Sequence, residues 1–379
     1  MKRLLIDAIS TSSGGAINHL KIIVNQFHKQ NYFDTVDVFL PENTKKKMTK
    51  IKNVNYICPK FFLSNLFLRV FWQVIILNIK IIKNKYNCIF VTGSSHFILS
   101  CPVVTISQNL LPFAPKEVKK YFFSYFYLKL KILYFTQKFA FKFSEGVIFL
   151  HHISRKIILD EIGKIKGDSK IVAHGLNLSR SFKKKKYKNK KYRLIYVSNI
   201  DYYKNQIFLL KSIDLFLEKN PNLKNLLTIE FYGGYYLPAL KKFNYYLSKK
   251  VHNKKNFKYF GLKDSKFIYQ DRKGVDTIFL FASSCENFSV SLIEGMSSGY
   301  PIICADQQPM KSVLGSGAIF YKHDSILSFQ NKLNKIIFSK KIQNKLSRII
   351  HLRSKRFNDN EMAKKTFKFL IKISKKNEK

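Results

Sequence analysis

Apolar and polar positions along the chain fall into short apolar runs separated by amphipathic stretches. Residues 3-RLLIDAI-9 have the pattern of a buried strand, followed by the small, polar turn 10-STSSGG-15. From Ala16 onward, Ile17, Leu20, Val24 and Phe27 recur at spacings of three and four, which predicts a helix over 16–27. Strand, glycine-containing turn and helix is the opening unit of α/β domains that bind nucleotides, although this turn lacks G-x-G-x-x-G. Further strands are predicted at 36–40, 88–91, 103–107, 146–150 and 170–173. Helical patterns lie between most of them, the alternation of a parallel sheet.

The stretch 179-SRSFKKKKYKNKKYR-193 is a charge run with no apolar period and reads as a solvated linker. After it the pattern restarts, with strands at 194–198, 227–233, 277–281 and 301–305 and helices near 205–218 and 290–297. The expected organisation is therefore a first α/β domain over 1–182, a basic linker over 183–193 and a second α/β domain over 194–355. A last segment, 356–379, carries a helix with Met362, Phe369, Leu370 and Ile373 on one side, placed to pack back onto the first domain. No short-period repeat is present.

Composition changes this picture in one respect. Apolar residues make up 46% of the 379, as in a globular protein, but 68 Lys and Arg stand against 23 Asp and Glu, a net charge of +45. Such a surface attracts polyanions: nucleic acid, anionic lipid headgroups or phosphorylated substrates. The five cysteines are odd in number, lie in apolar surroundings and form no C-x-x-C, which suggests free thiols in a reducing compartment. The histidines make no H-x-x-x-H pair, and the adjacent His151 and His152 are expected to point in different directions. MKRLLIDAIS is too short in its apolar run for a signal peptide. The most apolar window, 70-VFWQVIILNI-79, is too short to cross a bilayer, reads as a buried helix, and leaves no expected transmembrane span.

The candidate chemistry lies in 282-ASSCENFSVSLIEGMSSGYPIICAD-306. Here two of the chain's ten glutamates stand eight residues apart, between a predicted strand and a Gly-x-Pro. In an open α/β sheet, ligands bind outside the carboxyl ends of the strands, which is where Glu286 falls. The backbone N–H groups of Asn287, Phe288, Ser289 and Val290 lie at or near a helix N-terminus, a ready anion site. Glu294, about a turn and a half into the helix, can accept hydrogen bonds from the vicinal hydroxyls of a ribose, and Glu286 can do the same for a sugar hydroxyl. Spacing alone would equally suit a helix carboxylate that favours the dipole.

Read as Ser284-Cys285-Glu286-Asn287-Phe288 through Glu294-Gly295-Met296-Ser297-Ser298-Gly299-Tyr300-Pro301-Ile302-Ile303, the stretch resembles the signature of the retaining GT-B glycosyltransferases of family GT4. The resemblance extends in order over Gly14-Gly15, 107-SQNLLPF-113, 147-VIFLHHISRKII-158, 173-AHGLN-177, 196-YVSNIDYYKNQ-206 and 260-FG-261. It implies a GT-B fold: two Rossmann-like, doubly wound domains facing a cleft, the second holding the nucleotide-sugar and the first the acceptor. It also implies retaining transfer with no metal or other cofactor. By resemblance, Glu294 would hold the ribose, Glu286 a donor-sugar hydroxyl, and Lys204 would neutralise the donor diphosphate as charge gathers on the leaving group. Two positions depart from the pattern. Asn199 stands where an arginine usually shares the diphosphate, with Arg193 badly placed to replace it, and 309-PM-310 stands where relatives often have Pro-Glu.

The first domain offers further candidates. Gly14 and Gly15 would let backbone approach donor phosphates or acceptor, or would simply form a turn. His96 and Asn109 follow predicted strands, where His96 can touch acceptor or donor sugar, or can be structural. Gly175 and Asn177 are read as shaping the cleft. The stretch 119-KKYFFSYFYLKLKILYFTQKFAFKF-143 interleaves lysines with aromatics, which suits stacking on unpaired nucleotides or lying on an anionic membrane, with many of the aromatics in the core. The resemblance favours the membrane. It implies a lipid-diphosphate-linked glycan acceptor in O-antigen, capsule or lipooligosaccharide assembly, and a cytoplasmic enzyme peripheral to the inner membrane face. A basic nucleic-acid-binding protein and a sugar epimerase of the same fold are the alternatives; nucleic acid is not the expected partner.

Overall fold

The structure, a computed structural model, describes residues 2–11, 14–60, 68, 71–98, 100–176 and 191–376. The chain divides into two compact units, one of Met1–Leu176 with Phe357–Lys379 and the other of Asn177–Arg356.

The first unit is built on a seven-stranded sheet: β1 Arg3–Asp7, β2 Thr35–Phe39, β3 Val54–Ile57, β4 Cys88–Val91, β5 Val103–Ser107, β6 Gly146–Phe149 and β7 Asp168–Ile171. Their spatial order is β3-β2-β1-β4-β5-β6-β7, and every pairing is parallel. Parallel strands are covered on both faces, so they read as unbroken apolar runs; all residues of β4, β5 and β6 are buried. Helix Gly14–Asn25 buries Ile17, Leu20 and Val24 as its spacing predicts. The terminal helix Asp359–Lys376 buries Met362, Phe369, Leu370 and Ile373 within this unit. Phe369 and Ile373 lie so close over Gly146 that a Cβ there would meet each at about 3 Å.

The second unit has a six-stranded parallel sheet: β8 Lys191–Val197, β9 Leu227–Tyr232, β10 Phe257–Tyr259, β11 Val275–Phe281, β12 Ile302–Ala305 and β13 Ala318–Tyr321, ordered β10-β9-β8-β11-β12-β13. In both units the order reverses beside the first strand, between β1 and β4 and between β8 and β11. Such a reversal is the switch point where ligands bind in doubly wound sheets.

Several expectations need correction. The strand expected from 194 begins at Lys191, so 191–193 belong to the sheet and not to a linker; residues 177–190, with Asn177 and the rest of the expected linker, lie outside the described residues. β3, β10 and β13 were not foreseen, and the strand expected at 170–173 runs over Asp168–Ile171. The apolar window at 70–79 is not a buried helix. Trp72 and Leu77 are buried, but Phe71, Val74, Ile75 and Ile79 are exposed. None of the five cysteines is in a disulfide, and no described helix is long and apolar enough to cross a membrane.

Candidate functional site at the second switch point

β8 and β11 end side by side, and the loops that leave them carry Lys204 and Glu286. Lys204 closes a short turn, Tyr202–Lys204, that Asp201 caps through the Tyr202 N–H (2.8 Å). Asn205 then takes a left-handed conformation (φ 57°), tolerable for Asn, and helix Gln206–Lys219 begins. Hydrogen bonds stitch the two loops together. The Ser284 N–H and hydroxyl both donate to the Tyr203 carbonyl (2.8 and 3.0 Å), and the Asn205 amide donates to the Ala282 carbonyl (3.0 Å). Below them, the buried Tyr196 hydroxyl donates to the Lys204 carbonyl (2.8 Å) and shares a hydrogen bond with Ser283 (3.0 Å).

This frame brings the Lys204 ammonium onto the Glu286 carboxylate, with side-chain exposures of 12% and 13%. Burial acts to lower the lysine's pKa, but the adjacent Glu286 charge outweighs it and the net shift is upward, so Lys204 is a fixed cation. The ammonium also lies 4.7 Å from the centre of the Tyr203 ring.

Helix Val290–Ser297 starts where expected. Ser289 is its N-cap, accepting from the Leu292 N–H, so the first-turn amides of Val290 and Ser291 precede any intrahelical acceptor. The side chains of Asn287 and Phe288 are buried, so these two offer backbone rather than side chain. Ser291 donates to the Val197 carbonyl at the end of β8 (2.8 Å), which ties the helix start to the switch point. Glu294 accepts a hydrogen bond from the Ser265 hydroxyl (3.0 Å), a partner with no signal in the sequence. Next to it, Gly295 lies directly over Phe279 of β11: a Cβ would fall 2.8 Å from that ring.

Asn199 is not gathered into this group. It is exposed, and its side-chain oxygen accepts from the Gly234 N–H (3.0 Å), bracing the turn after β9. Arg193 is fully buried and donates to Thr277 Oγ1 (3.1 Å) and to the Ile268 and Gln270 carbonyls (3.2 Å each), with Glu230 3.7 Å away. It anchors the 268–270 segment beneath the sheet and takes no part in the Lys204–Glu286 pair. Asp214, Glu218 and His252 bring ligand atoms within 4.8 Å of one another. Asp214 already accepts from the His252 and Asn253 N–H groups, and the group lies towards the C-terminal end of helix Gln206–Lys219, whereas Lys204 precedes its start.

In the first unit, Gly14 opens its helix at φ 58°, with open space where a Cβ would project, and Gly15 follows within the helix. Asn109 is exposed and accepts from the Leu111 N–H (3.0 Å). His96 is buried, hydrogen-bonded to Ser144 (2.7 Å), and burial pushes its pKa down to about 4. That neutral, enclosed imidazole braces the loop after β4. Sequence reasoning missed His19 and His174, whose buried rings meet edge to face at 5.2 Å, and Asp7, a buried carboxyl at the end of β1 raised to about 6 by burial. Burial also holds His174 down to about 4 and His19 well below the usual imidazole range. His151 and His152 do not diverge. The first is the extended N-cap of helix His152–Ile162 and the second its opening residue, which leaves the rings 4.0 Å apart.

The sequence profile of the family described as "Glycosyl transferases group 1" matches residues 179–351. No curated protein matches the chain by sequence. Among solved structures, Anabaena HepE in complex with UDP-glucose is similar over 97% of this chain and 100% of its own, with TM-score 0.71 and 15% identity. WaaG, a glycosyltransferase involved in lipopolysaccharide biosynthesis, is similar over 97% and 99%, with TM-score 0.72 and 11% identity. Sucrose-phosphate synthase from Thermosynechococcus elongatus is similar over 97% and 98%, with TM-score 0.71 and 13% identity. At these identities the likeness establishes the fold, the GT-B type expected from the sequence.

Proposed function

We propose that the chain is a glycosyltransferase that moves a sugar with retention from a UDP- or GDP-sugar to a lipid-linked glycan, a reading supported by the match of residues 179–351 to the glycosyl transferases group 1 family. The observation that carries this reading is the Lys204–Glu286 pair at the β8/β11 switch point, with Glu294 on the adjoining helix. A diphosphate leaving group gathers negative charge as the glycosidic bond breaks. Lys204, held cationic and positioned by Glu286, supplies a preorganised counter-charge, and the first-turn amides of Val290 and Ser291 add dipoles of the same sign. Glu286 then accepts from a hydroxyl of the donor sugar, and Glu294 from the ribose hydroxyls in place of, or alongside, Ser265. With Lys204 and these amides balancing the diphosphate, the reading calls for no metal. Asn199 enters only through the turn it braces.

The uridine option is supported by the UDP-glucose held by the structurally similar HepE. The role of WaaG in lipopolysaccharide biosynthesis supports a surface glycan product, O-antigen, capsule or lipooligosaccharide, and hence a lipid-linked acceptor met by the first unit at the cytoplasmic membrane face.

A thermal-shift titration with UDP, GDP and their sugars on wild type and Glu294→Ala tests the reading. One nucleotide should raise the Tm of the wild type. Loss of charge-assisted hydrogen bonds at about 1.5–3 kcal/mol should weaken its affinity roughly 10- to 150-fold in Glu294→Ala. Wild-type affinity and transfer in a folded Glu294→Ala protein would remove the assignment.

A further inference from the structure

We propose that two helices of the first unit form a single membrane-docking face that inserts aliphatic and aromatic side chains into an anionic bilayer. The first is Tyr125–Phe143. Its buried side is Leu130, Gln137, Ala140 and Phe141, while Tyr125, Leu128, Ile132, Phe135, Phe139 and Phe143 are all exposed. Their spacings of three, four, three, four and four place them within an arc of roughly 80° on a 3.6-residue helix. The helix therefore has a second apolar stripe, directed to solvent and running its full length. Lys129 flanks it on one side and Lys131, Lys138 and Lys142 on the other. Just before the helix, Phe122 is exposed and Phe123 is 96% exposed, with φ at 60°, a left-handed conformation that a bulky residue rarely takes.

The second helix is the one that the sequence placed in the core. After a π turn, Trp72–Ile76, it continues as Leu77–Asn84, with Ile75, Ile79 and Ile82 exposed and Lys80 and Lys83 beside them. Phe97 joins the two helices: its carbonyl accepts from the Asn78 amide (3.1 Å) and its ring stacks on Phe139 (centroids 6.0 Å).

The chemistry of the face selects its occupant. Neither 72–84 nor 125–143 contains an acidic residue, so a second copy would bring like charges together. Leu128, Ile132, Ile75, Ile79 and Ile82 cannot stack on bases, so a single-stranded nucleic acid fits only part of the face. An apolar stripe between lysines suits the boundary of headgroups and acyl chains of an anionic bilayer. The proposal rests on the lipid-linked acceptor reading for its purpose, since it would hold the enzyme where such an acceptor lies, but its residues are separate from those around Lys204.

The test is co-sedimentation with vesicles of phosphatidylcholine alone and of phosphatidylcholine and phosphatidylglycerol in equal parts. Wild type should bind the mixed vesicles and only weakly the neutral ones. Glutamine is a good helix former, so the triple variants Leu128→Gln/Ile132→Gln/Phe135→Gln and Ile75→Gln/Ile79→Gln/Ile82→Gln should fold, which circular dichroism checks. Each should reduce partitioning about tenfold or more, since exposed side chains of this size lose most of their transfer to the interface. Lys131→Gln/Lys138→Gln/Lys142→Gln should lower binding to mixed vesicles and leave neutral ones unaffected. Wild-type binding by both apolar variants, no vesicle binding by wild type, or self-association that either apolar variant abolishes would each overturn the proposal. Nucleotide-induced thermal shifts in lipid-free buffer should be the same in wild type and all three variants. A lost donor response in wild type would count against the transferase reading and not against the docking face.

Discussion

Replacing Lys204 with methionine removes the ammonium and keeps most of the stem, which isolates what the charge does. In the free protein it leaves the Glu286 carboxylate, 13% exposed, without its partner. Breaking a fully buried pair costs about 3–5 kcal/mol, and with about one-eighth of each side chain open to water, about 2–3 kcal/mol is expected. For a unit of this size each kcal/mol moves Tm by about 2–4 °C, so calorimetry should show a fall of about 4–12 °C. Glu286→Gln should destabilise similarly by stranding the lysine, and the double variant should recover part of the loss, a coupling of about 1–3 kcal/mol. The two single variants should then separate in ligand binding. Lys204→Met should weaken UDP about 10- to 150-fold, the worth of one charge-assisted hydrogen bond. Glu286→Gln should bind free UDP as well as wild type or better, because a carboxylate beside the diphosphate has gone, yet lose transfer from the UDP-sugar. Isothermal titration of UDP against both variants decides the matter. Unchanged UDP affinity in Lys204→Met, or equal losses in both, would refute the assignment of Lys204 to the diphosphate.

Two further outcomes follow from geometry elsewhere. Gly295→Ala places a methyl 2.8 Å from the Phe279 ring; overpacking of this kind costs about 1–3 kcal/mol, and by lifting the helix that carries Glu294 it should weaken nucleotide binding in the same titration. Stability should rise with pH between about 4 and 6.5, read as Tm across a buffer series. His96 and His174 have folded pKa values near 4, below their unfolded values, so the unfolded chain binds more protons in this window, contributing about 3 kcal/mol each. Asp7, raised to about 6, acts in the opposite sense and offsets about one such share. His96→Phe should flatten the rise, and a Tm that falls through this window would contradict these assignments.

The interior strands were legible because both their faces are buried: β4 and β6 carry no polar side chain, and β5 is buried throughout with only Thr105 and Ser107 polar. β3, β10 and β13 escaped because they are short edge strands with partly exposed residues. Two errors had opposite signs. Lys191–Arg193 looked like linker, yet Arg193 is fully buried, its guanidinium donating to two carbonyls and Thr277 beside the Glu230 carboxylate. Residues 70–79 looked like core, yet four of that window's seven described apolar residues are exposed to water. Polarity reports burial only when the partners of each group are known, and those partners are distant in sequence. The same limit explains the site. Glu286 and Glu294 were visible from their place after a strand and in a helix, and Lys204 from resemblance, whereas Ser265, brought to Glu294 by tertiary packing, had no local signal.

Asn199 and the Lys204–Glu286 pair together bear on selectivity. In a chain of net charge +45, long-range attraction gathers any polyanion and distinguishes none. A second cation at position 199 would strengthen phosphate binding without adding discrimination; the amide there instead holds the Gly234 turn. Beside Lys204 the chain sets a carboxylate, which repels a bare phosphate approaching the ammonium. Only a ligand that also brings hydroxyl donors to Glu286 offsets that repulsion, so under the transferase reading the acid and not the base distinguishes a nucleotide-sugar from the other anions that this surface attracts.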